Sequence, residues 1–225
     1  MMTASRSSAL QPLWDVPGVL NAGFFTALLA PHLLYAYVWQ RPSNFQVAAA
    51  KPPLKLLGEL PTEVFGKLVM ALKAIQLGSL LAWCEWGLLP ACGLVVAHSA
   101  KGCKRLAVVE AVTSAAPARV ILGCLFLIPG QALNLGVYNA IGKDGVYYGC
   151  KLGRPVPWAT GFPFNLGIRH PQYVGSVLSW AGLLTLLAAT PSTAAPLGVV
   201  LLSWTGLYCV SSAHEACSDV DAQQK

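Results

Sequence analysis

The chain has 225 residues, of which 55% are hydrophobic and only 11% charged, and its mean hydropathy is +0.57. A soluble domain has about 25% charged residues, so this composition argues against an ordinary soluble domain and indicates an integral membrane protein. The net charge of +6 is spread over short segments between apolar runs. This pattern suits an anionic membrane surface, and we expect no nucleic-acid partner.

In chain order, the sequence predicts a series of apolar helices, each of roughly the 20 residues that cross a bilayer. They are residues 16–40, 64–98, 120–142, 171–190 and 196–213. The last two form a helical hairpin that turns at Thr190–Pro196. The predicted fold is therefore all-α. It is one membrane domain over residues 1–225, with about four to five transmembrane helices and a C-terminal hairpin.

The second apolar segment is the one that contains charged residues, among them Lys73 and Glu85. It is either one long span or one span followed by a short re-entrant piece that ends at Pro90. A charge inside a bilayer is costly and tends to face a cavity or a partner. We interpret Lys73 as a side chain that extends to the membrane surface, and Glu85 as an interfacial residue.

The third helix contains Pro129-Gly130 in its interior. Proline removes a backbone hydrogen bond and kinks a helix. The pair is either a plain kink or a place where the bare backbone of Gly130 lets a ligand approach.

Residues 143–170 form a polar segment rich in glycine and proline, and we predict that it is the catalytic loop. A loop of this length is usually functional or disordered. Disordered segments contain few aromatic residues, whereas Tyr147, Tyr148, Trp158 and Phe164 lie in this one. The sequence therefore predicts an ordered loop that holds a lipid headgroup or a soluble cofactor.

Polar residues flank both ends of the predicted hairpin. Pro171 is suited to the first turn of a helix, which places Arg169 and His170 beside free backbone N–H groups that favour an anion. Because the hairpin returns, Glu215 should lie on the same membrane face as Arg169. His214 could act as a base near neutral pH. The alternative for each is an ordinary charged or polar residue at the end of a helix.

Several segments resemble phospholipid N-methyltransferases, most closely the plant and algal type. They are Gln131–Gly149, Pro157–Phe164, His170–Ser179 and, more weakly, Lys73–Leu80. The resemblance implies a small multispan enzyme, without a soluble nucleotide-binding domain, that uses S-adenosylmethionine. It also implies methylation of phosphatidyl-N-methylethanolamine and phosphatidyl-N,N-dimethylethanolamine to phosphatidylcholine, in the membrane of the endoplasmic reticulum.

The resemblance also implies roles for individual residues. The cofactor is expected to contact Ile128, Pro129 and Gly130, together with Glu215, and we add Tyr148 and His170 to this group. Either Glu215 or His214 is expected to take the proton of the attacking amine. The lipid would be held by charge on its phosphate and by cation–π contacts on its methylated nitrogen; the residues predicted for this are Arg169, Lys151, Tyr147 and Tyr173.

Two other functions stay open. The stretch from Arg169 to Tyr173 also resembles methyltransferases that act on isoprenylcysteine carboxyl groups. A non-catalytic membrane protein of the same fold is the third possibility. The cysteines show neither a CxxC pair nor a spacing with histidine typical of zinc, so we expect no metal site. The sequence sets no oligomeric state.

Overall fold

The computed structural model describes residues 9–94, 106–157 and 159–223, with side chains as far as Glu215. These residues form helices and no strand. The helices are α1 (Gln11–Asp15), α2 (Gly18–Gln40), α3 (Pro42–Ala49), α4 (Pro61–Trp83), α5 (Ala107–Thr113), α6 (Pro117–Val146), α7 (Pro171–Leu187) and α8 (Pro191–Gln223). Helix α4 continues through a π-helical turn, Cys84–Leu88, into a last turn that ends at Ala91. Many of these helices begin with proline, whose missing N–H costs nothing in the first turn.

Four stretches within the described ranges are long and apolar enough to cross a membrane. They are Gly18–Gln40, Pro61–Ala91, Pro117–Val146 and Pro191–Glu215. Helix α7 has 17 residues, which is the lower limit for a span. The predicted all-α membrane fold is therefore confirmed.

The helix bounds differ from the predicted ones in three places. Helix α6 is interrupted by a kink at Gly142, where the predicted span ends, and a short helical segment continues to Val146 within the predicted catalytic loop. The second apolar helix begins at Pro61 and is described to Ala91, and residues 95–98 lie outside the described residues. Helix α8 begins at Pro191 instead of residue 196.

A capping box explains the early start of α8. The Thr190 hydroxyl accepts a hydrogen bond from the backbone N–H of Thr193, at 3.3 Å, and the Thr193 hydroxyl accepts one from the backbone N–H of Thr190, at 2.9 Å. This reciprocal pairing satisfies two donors at a helix start. The hairpin turn is consequently confined to the residues between Leu187 and Pro191.

Helices α6 and α7 make the most extensive helix contact of the fold, and glycines line it. A Cβ atom added to Gly130 would lie 2.7 Å from Ser179 Oγ and 2.8 Å from the carbonyl oxygen of Gly175. One added to Gly182 would lie 2.7 Å from the carbonyl oxygen of Gly123. Small residues allow membrane helices to approach this closely. Since α6 leads into the segment 147–170 and α7 leaves it, this contact sets the distance between the two ends of that segment.

Glu85 and Arg119 stabilise contacts between helices away from the segment 147–170. The two Glu85 carboxylate oxygens accept hydrogen bonds from the backbone N–H groups of Ala107 and Val108, at 3.0 and 2.9 Å, and so cap α5. Arg119 donates to the carbonyl oxygens of Ala111 and Ala188, at 2.6 and 2.9 Å. Both residues therefore connect helices, and neither faces the cavities described below.

Candidate functional site

The site begins where α6 ends. Gly142 adopts a non-helical conformation with φ of 66°, and Tyr148 lies in the left-handed region with φ of 57°. A residue with a side chain rarely adopts that region, which costs on the order of 1–3 kcal/mol and is often found at functional sites. Contacts hold Tyr148 in place: its ring stacks on Phe65 with 5.2 Å between centroids and meets Trp39 edge-on at 5.0 Å.

The first turn of α7 supplies the second part of the site. His170 lies at the N-cap, and Pro171 occupies the first helical position. Tyr173 lies three residues after His170 and therefore on the same face of the helix. The two rings are stacked, with 5.6 Å between centroids and 11° between planes.

Glu215, near the end of the last span, joins these parts. Its Oε1 accepts hydrogen bonds from the hydroxyls of Tyr148, at 2.5 Å, and of Tyr173. Its Oε2 lies 3.9 Å from Nδ1 of His170. Glu215 is only 8% exposed, so the carboxylate is removed from water and held by two hydroxyl donors.

The environment keeps Tyr148 protonated. Burial raises the pKa of Tyr148 well above its usual range, and the neighbouring Tyr173 and Glu215 raise it further. A neutral phenol is a hydrogen-bond donor, and a bond from it to a carboxylate is charge-assisted and stronger than one between neutral groups. Tyr148 therefore acts as a permanent donor to Glu215.

A cavity of about 600 Å³ opens beside this cluster. We call it the loop-side cavity, and most of its wall comes from residues 137–173. Its lining is Trp39, Val137, Ile141, Gly145, Val146, Tyr148, Cys150, Val156, Pro157, Ala159, Thr160, Phe164, Arg169, His170, Pro171, Gln172, Tyr173 and Glu215. A largely apolar wall with a few converging polar groups is typical of a small-molecule site of this size.

Of the residues predicted for the site, Tyr148, Arg169, His170, Tyr173 and Glu215 all line the loop-side cavity. The sequence predicted that Arg169, His170 and Glu215 lie on one membrane face, because the helix start at Pro171 and the returning hairpin bring the two ends of the hairpin together.

The segment Ile128–Gly130 lies elsewhere. Ile128 is 68% exposed on the outside of the helix bundle, and Pro129 is exposed beside it. Gly130 is buried against Gly175 and Ser179 of α7. Three consecutive helical residues point in directions about 100° apart, so they do not form one surface. In this structure Gly130 permits close helix packing, and the segment does not line the loop-side cavity.

Three further predicted residues do not line that cavity. His214 Nε2 lies 3.0 Å from Gln40 Nε2 and lines a smaller cavity of about 180 Å³, to which Glu215 also contributes. The Lys151 ammonium lies over the ring of Trp39, 4.3 Å from its centroid. The Tyr147 hydroxyl is 2.5 Å from that of Tyr138. Trp158 lies outside the described residues.

The structure also contains a further polar cavity that the sequence interpretation missed. It has a volume of about 320 Å³ and lies between the spanning helices; we call it the membrane-side cavity. Its lining is Tyr35, Phe65, Val69, Met70, Lys73, Gln131, Asn134, Tyr138, Val146, Tyr147, Tyr148, Gln172, Tyr173, Ser176 and Tyr208. It shares the tyrosine pair Tyr148 and Tyr173 with the loop-side cavity.

Lys73 points into this membrane-side cavity. Its ammonium donates a hydrogen bond of 2.7 Å to the Tyr208 hydroxyl and lies over the rings of Tyr208 and Tyr35, 5.1 and 6.0 Å from their centroids. The interpretation that Lys73 extends to the membrane surface was wrong. The available signal was its position inside an apolar segment, which by itself indicates an inward-facing functional group.

Comparison with known proteins identifies the segment that carries most of this site. Residues 118–216 match the sequence profile described as phospholipid methyltransferase. The chain is therefore similar to phospholipid methyltransferases over this segment, which is less than half of its length. The resemblance drawn from the sequence is thus confirmed for this segment, which includes every residue lining the loop-side cavity except Trp39.

One curated relative is the phosphatidyl-N-methylethanolamine N-methyltransferase of Arabidopsis thaliana. It is 40% identical over 96 residues, which are 43% of this chain and 52% of the relative. The chain therefore matches about half the length of this relative. No solved structure matches the chain.

Proposed function

We propose that this protein transfers methyl groups from S-adenosylmethionine to the amine of phosphatidyl-N-methylethanolamine and phosphatidyl-N,N-dimethylethanolamine, giving phosphatidylcholine. The observation that carries the proposal is the buried Glu215 carboxylate, held by Tyr148 and Tyr173 at the wall of the loop-side cavity. The family of residues 118–216 and the name of the Arabidopsis relative support it. The endoplasmic reticulum membrane is the proposed location.

The residues of the loop-side cavity fit S-adenosylmethionine. This cofactor carries two cationic centres, one carboxylate and a flat purine ring. Glu215 would hold a cationic centre, Arg169 would pair with the carboxylate, and apolar and aromatic residues such as Phe164 would cover the purine. When bound, the cofactor supplies a methyl group on a positively charged sulfur.

The protein's own residues must position the amine and remove its proton. An amine attacks only as the free base, so a nearby group has to accept the proton. Glu215 is the carboxylate at this site, and the imidazole of His170 lies 3.9 Å from its Oε2. We propose that Glu215 attracts the amine and that His170 accepts the proton, because His170 lines the loop-side cavity and His214 does not.

The same carboxylate separates the proposal from its main alternative. In the isoprenylcysteine reaction the attacking group is itself a carboxylate, which Glu215 would repel. An amine substrate instead arrives as a protonated ammonium, which Glu215 attracts, and it then gives up its proton before the attack. The charge of Glu215 thus favours an amine over a carboxylate as the group that approaches it.

Methyl transfer with the purified protein in lipid nanodiscs tests the proposal. Radiolabelled S-adenosylmethionine is supplied with phosphatidyl-N-methylethanolamine, its dimethyl form or an isoprenylcysteine analogue, and cofactor binding is titrated separately. We expect cofactor binding, and label in phosphatidylcholine from both lipids. Label in the isoprenylcysteine analogue would favour a carboxyl methyltransferase. Absence of cofactor binding would support a non-catalytic membrane protein of the same fold.

A further inference from the structure

The membrane-side cavity contains a cation that the proposed reaction has not yet used. We propose that Lys73 binds the phosphate of the phospholipid substrate, and that the cavity accepts its headgroup as a zwitterion, with the phosphate at Lys73 and the amine toward Glu215. This inference rests on the proposed function and names the residue that would recognise the lipid.

The depth of Lys73 in its helix is the first argument. It lies 12 residues after Pro61 and 18 before Ala91, which places it about 18 Å and about 27 Å from the ends of this span. A cation at such depth is costly and is kept where it faces a cavity or a partner. Within the described ranges no carboxylate lies within 4 Å of its ammonium, so an anionic ligand would supply the missing charge.

The polar groups around Lys73 are the second argument. Tyr208 accepts its hydrogen bond at 2.7 Å. Asn134 lines the same cavity, and its buried Oδ1 has no hydrogen-bond partner in the part of the chain that the structure describes. Buried polar side chains are nearly always paired. A headgroup in this cavity would give the amide a partner.

The relation between the two cavities is the third argument. Lys73 binds the hydroxyl of Tyr208, Glu215 binds the hydroxyl of Tyr173, and the two tyrosine rings are neighbours with 5.3 Å between centroids. A cation and a carboxylate therefore flank one pair of adjacent rings. A phosphoethanolamine headgroup carries the complementary charges, because its anionic phosphate and its amine are separated by two carbons. The phosphate would face Lys73 and the amine would face Glu215. The headgroup would then bring its amine to the wall shared with the loop-side cavity.

Kinetics with two lipids test the proposal. One is phosphatidyl-N-methylethanolamine; the other is a dialkylglycerol that carries the same N-methylaminoethyl group through an ether and has no phosphate. The variants are Lys73→Met, Lys73→Arg and, as a control, Lys67→Met, which changes an exposed lysine of the same helix. Cofactor affinity is titrated for each protein.

We expect Lys73→Met to raise KM for the phospholipid about ten- to a hundredfold, the usual effect of losing a hydrogen bond to a charged group. Its KM for the phosphate-free lipid should stay near the wild-type value, because that lipid never had the contact. Lys73→Arg should retain part of the preference, and Lys67→Met should behave as wild type. Cofactor affinity should not change in any variant.

Two results would overturn this inference alone: an active Lys73→Met protein with wild-type KM for the phospholipid, or an equal loss on both lipids. If Lys73→Met does not fold, the wild-type protein decides, since equal KM values for the two lipids would contradict phosphate recognition. Wild-type protein that methylates neither lipid would instead overturn the proposed function, and this inference with it.

Discussion

The two cavities on either side of Tyr148 and Tyr173 are built from different parts of the chain. The loop-side cavity takes all its lining except Trp39 from residues 137–215, within the segment that matches the methyltransferase family. The membrane-side cavity also needs Tyr35 from α2, and Phe65 and Lys73 from α4, which lie outside that segment.

The difference bears on where the proposed methyl-donor and lipid sites are encoded. Groups suited to a soluble methyl donor lie close together in sequence, around one carboxylate and the two ends of a hairpin. The pocket proposed for the lipid is assembled from spans across the whole fold, around one lysine. If the proposed sites are correct, the segment 118–216 holds the methyl-donor site, whereas the lipid site also depends on the preceding helices.

Removing the charge of Glu215 should have the largest effect. Glu215→Gln leaves two tyrosine donors facing a neutral amide, and each hydrogen bond to a charged group contributes about 1.5–3 kcal/mol. We expect kcat/KM for phosphatidyl-N-methylethanolamine to fall about a hundredfold or more, measured by radiolabelled methyl transfer.

The matched control for that change is Glu59→Gln, which alters an exposed carboxylate and should leave the activity intact. Wild-type turnover in the Glu215→Gln protein would show that the Glu215 carboxylate is not needed for catalysis, and would contradict the proposed site.

A leucine at Gly130 tests the contact that holds both cavities together. Its Cβ would meet Ser179 and the backbone of Gly175 at 2.7–2.8 Å, and overpacking of this kind typically costs about 1–3 kcal/mol. We expect Gly130→Leu to lower the thermal stability in detergent and the yield of folded protein. Gly206→Leu on α8, where a Cβ meets nothing within 4 Å, should be tolerated.

Cofactor affinity distinguishes the two interpretations of Gly130. If Gly130→Leu expresses normally and loses S-adenosylmethionine binding, the cofactor-site interpretation of the Ile128–Gly130 segment regains support. Normal expression with normal binding would contradict both that interpretation and the packing role.

A smaller effect is expected from Tyr148→Phe. It removes one of the two hydroxyl donors to Glu215 and retains the ring that packs on Phe65 and Trp39. We expect about a tenfold loss in kcat/KM, since Tyr173 still holds the carboxylate. The exposed Tyr37 provides the control, and Tyr37→Phe should be silent. A loss as large as that of Glu215→Gln would show that Tyr148 has a role beyond this hydrogen bond.

The smallest effect is a pH dependence of stability. The pKa of Tyr148 is raised in the folded protein, whereas an unfolded tyrosine titrates near 10. Above pH 10 the folded state therefore binds more protons than the unfolded state. The contribution of Tyr148 to the free energy of unfolding is constant below pH 10 and falls above it, by about 1.4 kcal/mol per pH unit. Thermal unfolding of wild type and Tyr148→Phe from pH 8 to 11 measures this. Identical slopes above pH 10 would contradict the raised pKa.

Much of the architecture could be predicted because it depends on one-dimensional patterns. Runs without charge can be buried in lipid only as helices, since every backbone group must be paired internally. Pro171 marks a helix start, and a hairpin of two spans returns to the face it left. From these features alone, Glu215 is expected on the same face as Arg169 and His170, and the structure places it beside His170.

The direction in which side chains point was decided only by the tertiary structure. Lys73 could extend to the surface or turn inward, and the hydroxyl of Tyr208, 135 residues further along the chain, holds it inside. His214 and Glu215 are adjacent in sequence, yet only Glu215 lines the loop-side cavity, because successive residues of α8 point about 100° apart. From the sequence, Gly130 could face a ligand or another helix. In the structure it packs against Gly175 and Ser179 of α7. Composition and charge thus determine which segments enter the membrane, whereas packing between distant helices determines which of their faces form a site.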